Sequence, residues 1–167
     1  MDEPEKLKIQ QVYQICVVVK DIRKAMEHYW KVLGIGPWQL YTFQPPDLTD
    51  TMFRGKPEPF SMKLASARVG SLEWELIQPL EGQSAYREFL EQRGEGLHHV
   101  AVTVDDFDKT VAALEKQGIG ILMSGKFRGA MFVYMDTEKV LGTLTELCKV
   151  PPGVVMPEPE ATYPPSL

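Results

Sequence analysis

The sequence predicts an α+β fold assembled from one module used twice. Three observations carry that prediction. The run Tyr13 to Asp21 returns 85 residues later as His98 to Asp106, each copy alternating β-branched residues before an acidic stop. Each run then passes into a helical pattern that closes on a glycine pair, Gly34-Ile35-Gly36 or Gly118-Ile119-Gly120. Further on, each copy carries a strand with Glu-Leu near its end and a proline soon after, Glu75-Leu76 before Pro79 and Glu146-Leu147 before Pro151.

In chain order, residues 1–10 form a charged lead-in and residues 11–81 a first module. Its helix puts Ile22, Ala25, Met26, Tyr29, Val32 and Leu33 on one face and Lys24, His28 and Lys31 on the other. Strands follow over Trp38 to Phe43 and Phe60 to Val69. Between them, Gln44 to Pro59 holds four prolines that forbid continuous sheet or helix, so a long lid or binding loop is expected. Residues 82–95, with Ala85, Tyr86, Phe89 and Leu90, read as a linking helix. Residues 96–150 form the second module, whose helix shows Phe107, Val111, Leu114 and Gly118 toward a sheet. Residues 151–167 contain six prolines and read as an extended strap or a disordered tail. Gln14 and Glu75 lie 61 residues apart and His99 and Glu146 only 47, so the first module carries 14 extra residues, placed in 44–59.

A formal charge of −5 supplies no basic field for a nucleic acid. No apolar stretch approaches the ~20 residues that span a bilayer, and the acidic start is unlike a signal peptide, so the expected location is cytoplasmic, away from membranes. Cys16 and Cys148 are too few for a disulfide framework and read as small buried thiols.

Side chains alternate across a strand, so Gln14 shares a face with Cys16 and Val18, and His99 shares one with Ala101 and Thr103. Glu75 and Glu146 occupy matching places in the two Glu-Leu strands. Burying an isolated carboxylate costs several kcal/mol, and one divalent metal would satisfy Gln14, Glu75, His99 and Glu146 together. The alternative for Gln14 is a strand residue hydrogen-bonded to Glu75 or His99. His98, one residue out of step with His99, is expected to face the other way and to be structural.

These residues, with Gly96-Leu97-His98-His99-Val100-Ala101-Val102 and Glu75-Leu76-Ile77-Gln78-Pro79-Leu80, resemble the vicinal oxygen chelate (glyoxalase/bleomycin resistance/dioxygenase) superfamily over about residues 11–150. The nearest resemblance is to its methylmalonyl-CoA epimerase type. That resemblance implies two βαβββ modules forming a curved mixed sheet around a central cavity, with metal at the four positions above. Those epimerases normally have histidine at the first position, where this chain has Gln14; a glutamine carbonyl oxygen can still bind a hard cation. One imidazole, one amide and two carboxylates favour Mg, Mn, Co or Ni, with Zn also admitted.

The implied activity is a metal-dependent isomerase, an epimerase or racemase acting on a small carbonyl compound, with acyl-CoA among the candidates. Glu146 matches the family's catalytic carboxylate. The family's second carboxylate belongs near Gln39 to Gln44, where this chain has no acid. Tyr41, Phe43 and Tyr134 are candidate substrate contacts, and so is Arg128, whose alternative role is solubility. Other members of the superfamily sequester drugs without metal or racemise isoflavanones, and both activities stand as alternatives. Ring-cleaving dioxygenation is disfavoured, since it needs two histidines and a carboxylate. Modules of this type also pair between chains, so a homodimer is expected.

Overall fold

A computed structural model of the chain describes residues 7–165. The first module runs β1 (Ile9–Val18), α1 (Ile22–Leu33), β2 (Trp38–Phe43), β3 (Leu48–Phe53), β4 (Lys56–Pro57), β5 (Met62–Val69) and β6 (Leu72–Pro79). After α2 (Ala85–Arg93), the second runs β7 (Gly96–Val104), α3 (Phe107–Lys116), β8 (Ile121–Phe127), β9 (Ala130–Met135), α4 (Glu138–Leu141) and β10 (Leu144–Lys149), and β11 (Ala161–Tyr163) follows. No helix among the described residues is long and apolar enough to cross a membrane.

The acidic stop of each repeated run is a helix cap. Asp21 accepts the amide of Lys24 and Asp106 that of Lys109, so each strand turns directly into α1 or α3 with an orphan N–H satisfied. Gly34, at φ 68°, closes α1 in the left-handed conformation that leaves the chain free to turn back to the sheet.

Among the described residues all eleven strands join one sheet, in the order β11-β2-β5-β6-β1-β7-β10-β9-β8-β3-β4. At its centre β1 pairs antiparallel with β7, and the four strands on each side mirror one another as β2-β5-β6-β1 and β7-β10-β9-β8. This is the α+β architecture of two βαβββ units. One face is covered by the helices. Ile22 and Met26 of α1 pack on Val17, Leu40, Ala65 and Leu76, while Phe107, Val111 and Leu114 of α3 pack on Val102, Val133 and Leu147. The other face holds Cys16, Tyr41, Phe43, Met62, Ile77, Phe127, Phe132 and Tyr134, closed at one end by Ala85 and Tyr86 of α2.

The proline-rich insertion is not an open loop. Its β3 crosses to the second module and pairs with β8, and Leu48 is buried there. Pro57 is tolerated because β4 is the outermost strand, where a missing N–H leaves no ladder bond unmade. The tail does the same at the opposite end, where β11 pairs with β2, so 161–163 take the strap form. Residues 166–167 and the first six residues of the lead-in lie outside the described residues, while Ile9 and Gln10 already belong to β1.

Other boundaries differ from the sequence reading. Val32 and Leu33 are 77% and 62% exposed, because the sheet-facing stripe of α1 ends at Tyr29. Gly118 follows α3 at φ 81° rather than lying on its face. Phe60 and Ser61 precede β5, with Ser61 bonded to the 80–81 backbone instead. The short α4 has too few residues to show a periodicity.

The junction before α2 is the least tolerant of a side chain. At Gly82 (φ 76°) an added Cβ would lie 2.0 Å from the Pro59 carbonyl oxygen and 2.9 Å from Phe60 Cα. Both are backbone atoms, and the dihedral is itself unfavourable for any other residue. Gly82→Ala is therefore expected to lower unfolding free energy by about 3 kcal/mol or more, read from urea denaturation.

Candidate functional site

Two cross-strand rows on the helix-free face build the site. Register places Glu75, Cys16 and His99 side by side on β6, β1 and β7. The next row contains Glu73, Gln14, Ala101 and Glu146 on β6, β1, β7 and β10. Opposed residues in a sheet hold their Cβ atoms about 5 Å apart, so each row is a line of touching side chains. Ala101, the smallest member, leaves space over which His99 and Glu146 meet.

The four polar residues singled out from sequence are brought together and buried. His99 Nε2 lies 3.1 Å from Glu146 Oε2 and 3.4 Å from Glu75 Oε2. Neither His99 Nε2 nor Glu75 Oε2 has a partner in hydrogen-bond geometry. Gln14 stands at one remove, its Nε2 donating to Glu75 at 3.3 Å and also to Glu73. Glu146 accepts from the Cys148 thiol at 3.7 Å.

Two members were missed in the sequence. Cys16 offers its sulfur within 4.8 Å of the donor atoms of both Glu75 and His99. Glu73, half-buried, lines the cavity beside Gln14. Alternation had put Cys16 on the correct face, but only the register between strands makes it the neighbour of both ligand candidates.

His98 corrects an expectation. The pairing slips between Cys16–His99 and Val17–Leu97, so β7 carries a bulge at His98 and strict alternation fails there. Its ring therefore turns toward the same cluster, packing on Tyr86, Phe89 and Tyr134, with Nδ1 2.9 Å from His99 Nδ1. Burial and the neighbouring His99 charge hold His98 well below the usual histidine range, so it is neutral and accepts the Nδ1 proton of His99. His99 Nε2 is thereby directed at the carboxylates. We expect His98→Phe, which keeps the ring packing, to weaken divalent metal binding about 10- to 100-fold by competition with a chelating dye.

Burial pushes Glu75 up to about 7, against the pull of His99. Burial alone would lower His99, but the Glu146 carboxylate beside it outweighs that and holds the imidazole well above its ordinary range. Burial raises the Cys16 thiol, which stays protonated without a metal. The metal-free site is thus a buried imidazolium held by carboxylates. Both shifts have the same sign for stability. Glu75 binds its proton more tightly folded than unfolded, so stability falls as pH rises from 4.5 to about 7. The His99 contribution is complete below 6.5 and is lost as pH climbs through its raised folded value. The urea midpoint of metal-free protein should fall steadily as pH rises from about 5 through neutrality, and a flat profile would contradict this assignment.

Orphaned, converging donor atoms are what a divalent ion satisfies, and the imidazole, carboxylate and thiol groups fit one. Of these residues Glu75 and Glu146 line a cavity of about 390 Å³, while His99 and Cys16 are fully buried. Tyr41, Phe43 and Tyr134 line it, with the Tyr134 hydroxyl 2.7 Å from that of Tyr86. Arg128 does not: it sits exposed in the β8–β9 turn at φ 50°, where its amide bonds the Asp47 carbonyl.

Residues 13–134 match the family described as the Glyoxalase/Bleomycin resistance protein/Dioxygenase superfamily. The chain is 27% identical over 138 residues to the uncharacterized protein YqjC of Bacillus subtilis, covering 81% of this chain and 89% of that one. It is 26% identical over 140 residues to the mitochondrial methylmalonyl-CoA epimerase of Bos taurus, covering 80% and 70%. Among solved structures, hypothetical protein BH1468 from Bacillus halodurans superposes with a TM-score of 0.65 at 21% identity, over 87% of this chain and 98% of that one. The methylmalonyl-CoA epimerase from Mycobacterium tuberculosis gives 0.62 at 21% identity, over 89% and 95%. At these identities the structural likenesses speak for the fold.

Proposed function

Given that the chain belongs to the glyoxalase/bleomycin resistance protein/dioxygenase superfamily, we propose that it is a metal-dependent isomerase that moves the proton α to a substrate carbonyl. The observation that carries this reading is the buried convergence of His99 Nε2 and Glu75 Oε2, both without a hydrogen-bond partner, with Glu146 Oε2, where Glu75 and Glu146 line a cavity of substrate size. Relatives that include a methylmalonyl-CoA epimerase support it.

His99, Glu75 and Glu146 would hold the ion together with Cys16, and Gln14, whose amide nitrogen faces Glu73 and Glu75, would join them only by turning its carbonyl oxygen inward. The thiol moves the preference from Mg toward Co, Ni or Zn. When bound, the metal supplies Lewis-acid polarisation of a carbonyl oxygen and stabilises charge developing there. Glu146 takes the α-proton, being the carboxylate that both lines the cavity and touches His99. Cys148 donates to its second oxygen and fixes its orientation. Tyr41, Phe43 and Tyr134 exclude water and hold the substrate body. Burial and nearby carboxylates keep the Tyr134 hydroxyl protonated, so it serves as a donor.

The test is elemental analysis of purified protein together with α-proton exchange of a carbonyl substrate in heavy water. One bound divalent ion per chain and exchange lost on chelation are the expected results. No stoichiometric metal after loading with Co, Ni, Mn or Zn would sink the mechanism and leave a metal-free binding protein, for which the self-paired His99 site is already suited.

A further inference from the structure

We propose that the cavity is built for an uncharged carbonyl substrate with a flat, apolar body, and that it discriminates against substrates bearing a carboxylate or phosphate. This rests on the reading of the site as one for α-proton removal, and names its substrate class.

The first argument is charge. The cavity wall carries three carboxylates, Glu73, Glu75 and Glu146, and no lysine or arginine among its lining residues. The basic side chains that could have reached it are held elsewhere. Arg54 pairs with Glu88, Lys126 with Asp50 at 2.9 Å and Lys63 with Glu160 at 3.5 Å, while Arg128 projects from the outer turn. Glu75 and Glu146 neutralise a divalent ion, and Glu73 then leaves the wall negative. A carboxylate on the substrate body, away from the carbonyl that the metal takes, would be desolvated with no cation to pair with, which disfavours its binding strongly. A coenzyme A pyrophosphate would meet no cation on this wall either.

The second argument is shape. Phe43 of the first module and Phe127 of the second stack at 3.6 Å with their planes 2° apart, joining the modules across the cavity. Met62, Met131, Phe132 and Met156 complete an apolar lining around the polar cluster. Aromatic and thioether walls with a few convergent polar groups at one end suit a planar ketone whose carbonyl points to His99 and whose rings fill the rest.

The test uses cobalt-loaded protein and three probes: 2-methyl-1-indanone, 2-methyl-1-oxoindane-5-carboxylate and methylmalonyl-CoA. Calorimetry should show the neutral ketone binding at least about tenfold more tightly than its carboxylate. Glu73→Gln should narrow that gap. Deuterium uptake in heavy water should be faster for the neutral ketone than for methylmalonyl-CoA. Equal or weaker binding of the neutral ketone, or faster exchange of methylmalonyl-CoA, would overturn the proposal. If the ketone is preferred but no probe exchanges with metal bound, isomerase chemistry fails while the charge selectivity of the cavity stands.

Discussion

His99→Ala is expected to abolish stoichiometric divalent metal binding and to reduce α-proton exchange by about a thousandfold, the several kcal/mol that a Lewis acid contributes at a developing oxyanion. His99 is the hub of the site: its Nε2 is the atom within ion-pair distance of both Glu75 and Glu146, and its other nitrogen is anchored by His98. Removing the ring also strips two buried carboxylates of their shared counter-charge. The metal-free variant should therefore lose about 3 kcal/mol or more of stability at neutral pH, recovering part of it in acid as the carboxyls protonate. His99→Gln, which preserves volume, controls for simple loss of packing. Full metal content in His99→Ala, measured by mass spectrometry of the dialysed protein, would remove His99 from the centre.

How much of this was legible in the sequence follows from which interactions are local. The doubled strand and helix were readable because Asp21 and Asp106 cap the helices that follow them, and that capping is a short-range pattern. Gln14, Glu75, His99 and Glu146 were readable because the repeat places them at equivalent points. Register was not readable. It alone makes Cys16 the neighbour of Glu75 and His99, and makes Glu73 the neighbour of Gln14. The bulge that turns His98 inward, and the crossing of β3 to β8, likewise depend on partners far along the chain.

Glu146→Gln separates the two tasks assigned to that carboxylate. The substitution keeps its size and its place beside Cys148 but cannot accept a proton at neutral pH. Exchange should fall about 10²- to 10⁴-fold, the usual contribution of a positioned base. His99, Glu75 and Cys16 remain, so one equivalent of metal should still bind, though more weakly, and ketone affinity should change little. Glu75→Gln, by contrast, removes an orphaned ligand oxygen and should lose metal first and activity in consequence. The metal-free form offers an independent readout: without Glu146, the carboxylate that holds the His99 proton above its usual range is gone. The alkaline part of the pH-stability fall should then shift toward lower pH. A Glu146→Gln variant that retains metal and exchanges at the native rate would transfer the base role to another carboxylate on the wall, with Glu73 the remaining acid there outside the His99 cluster.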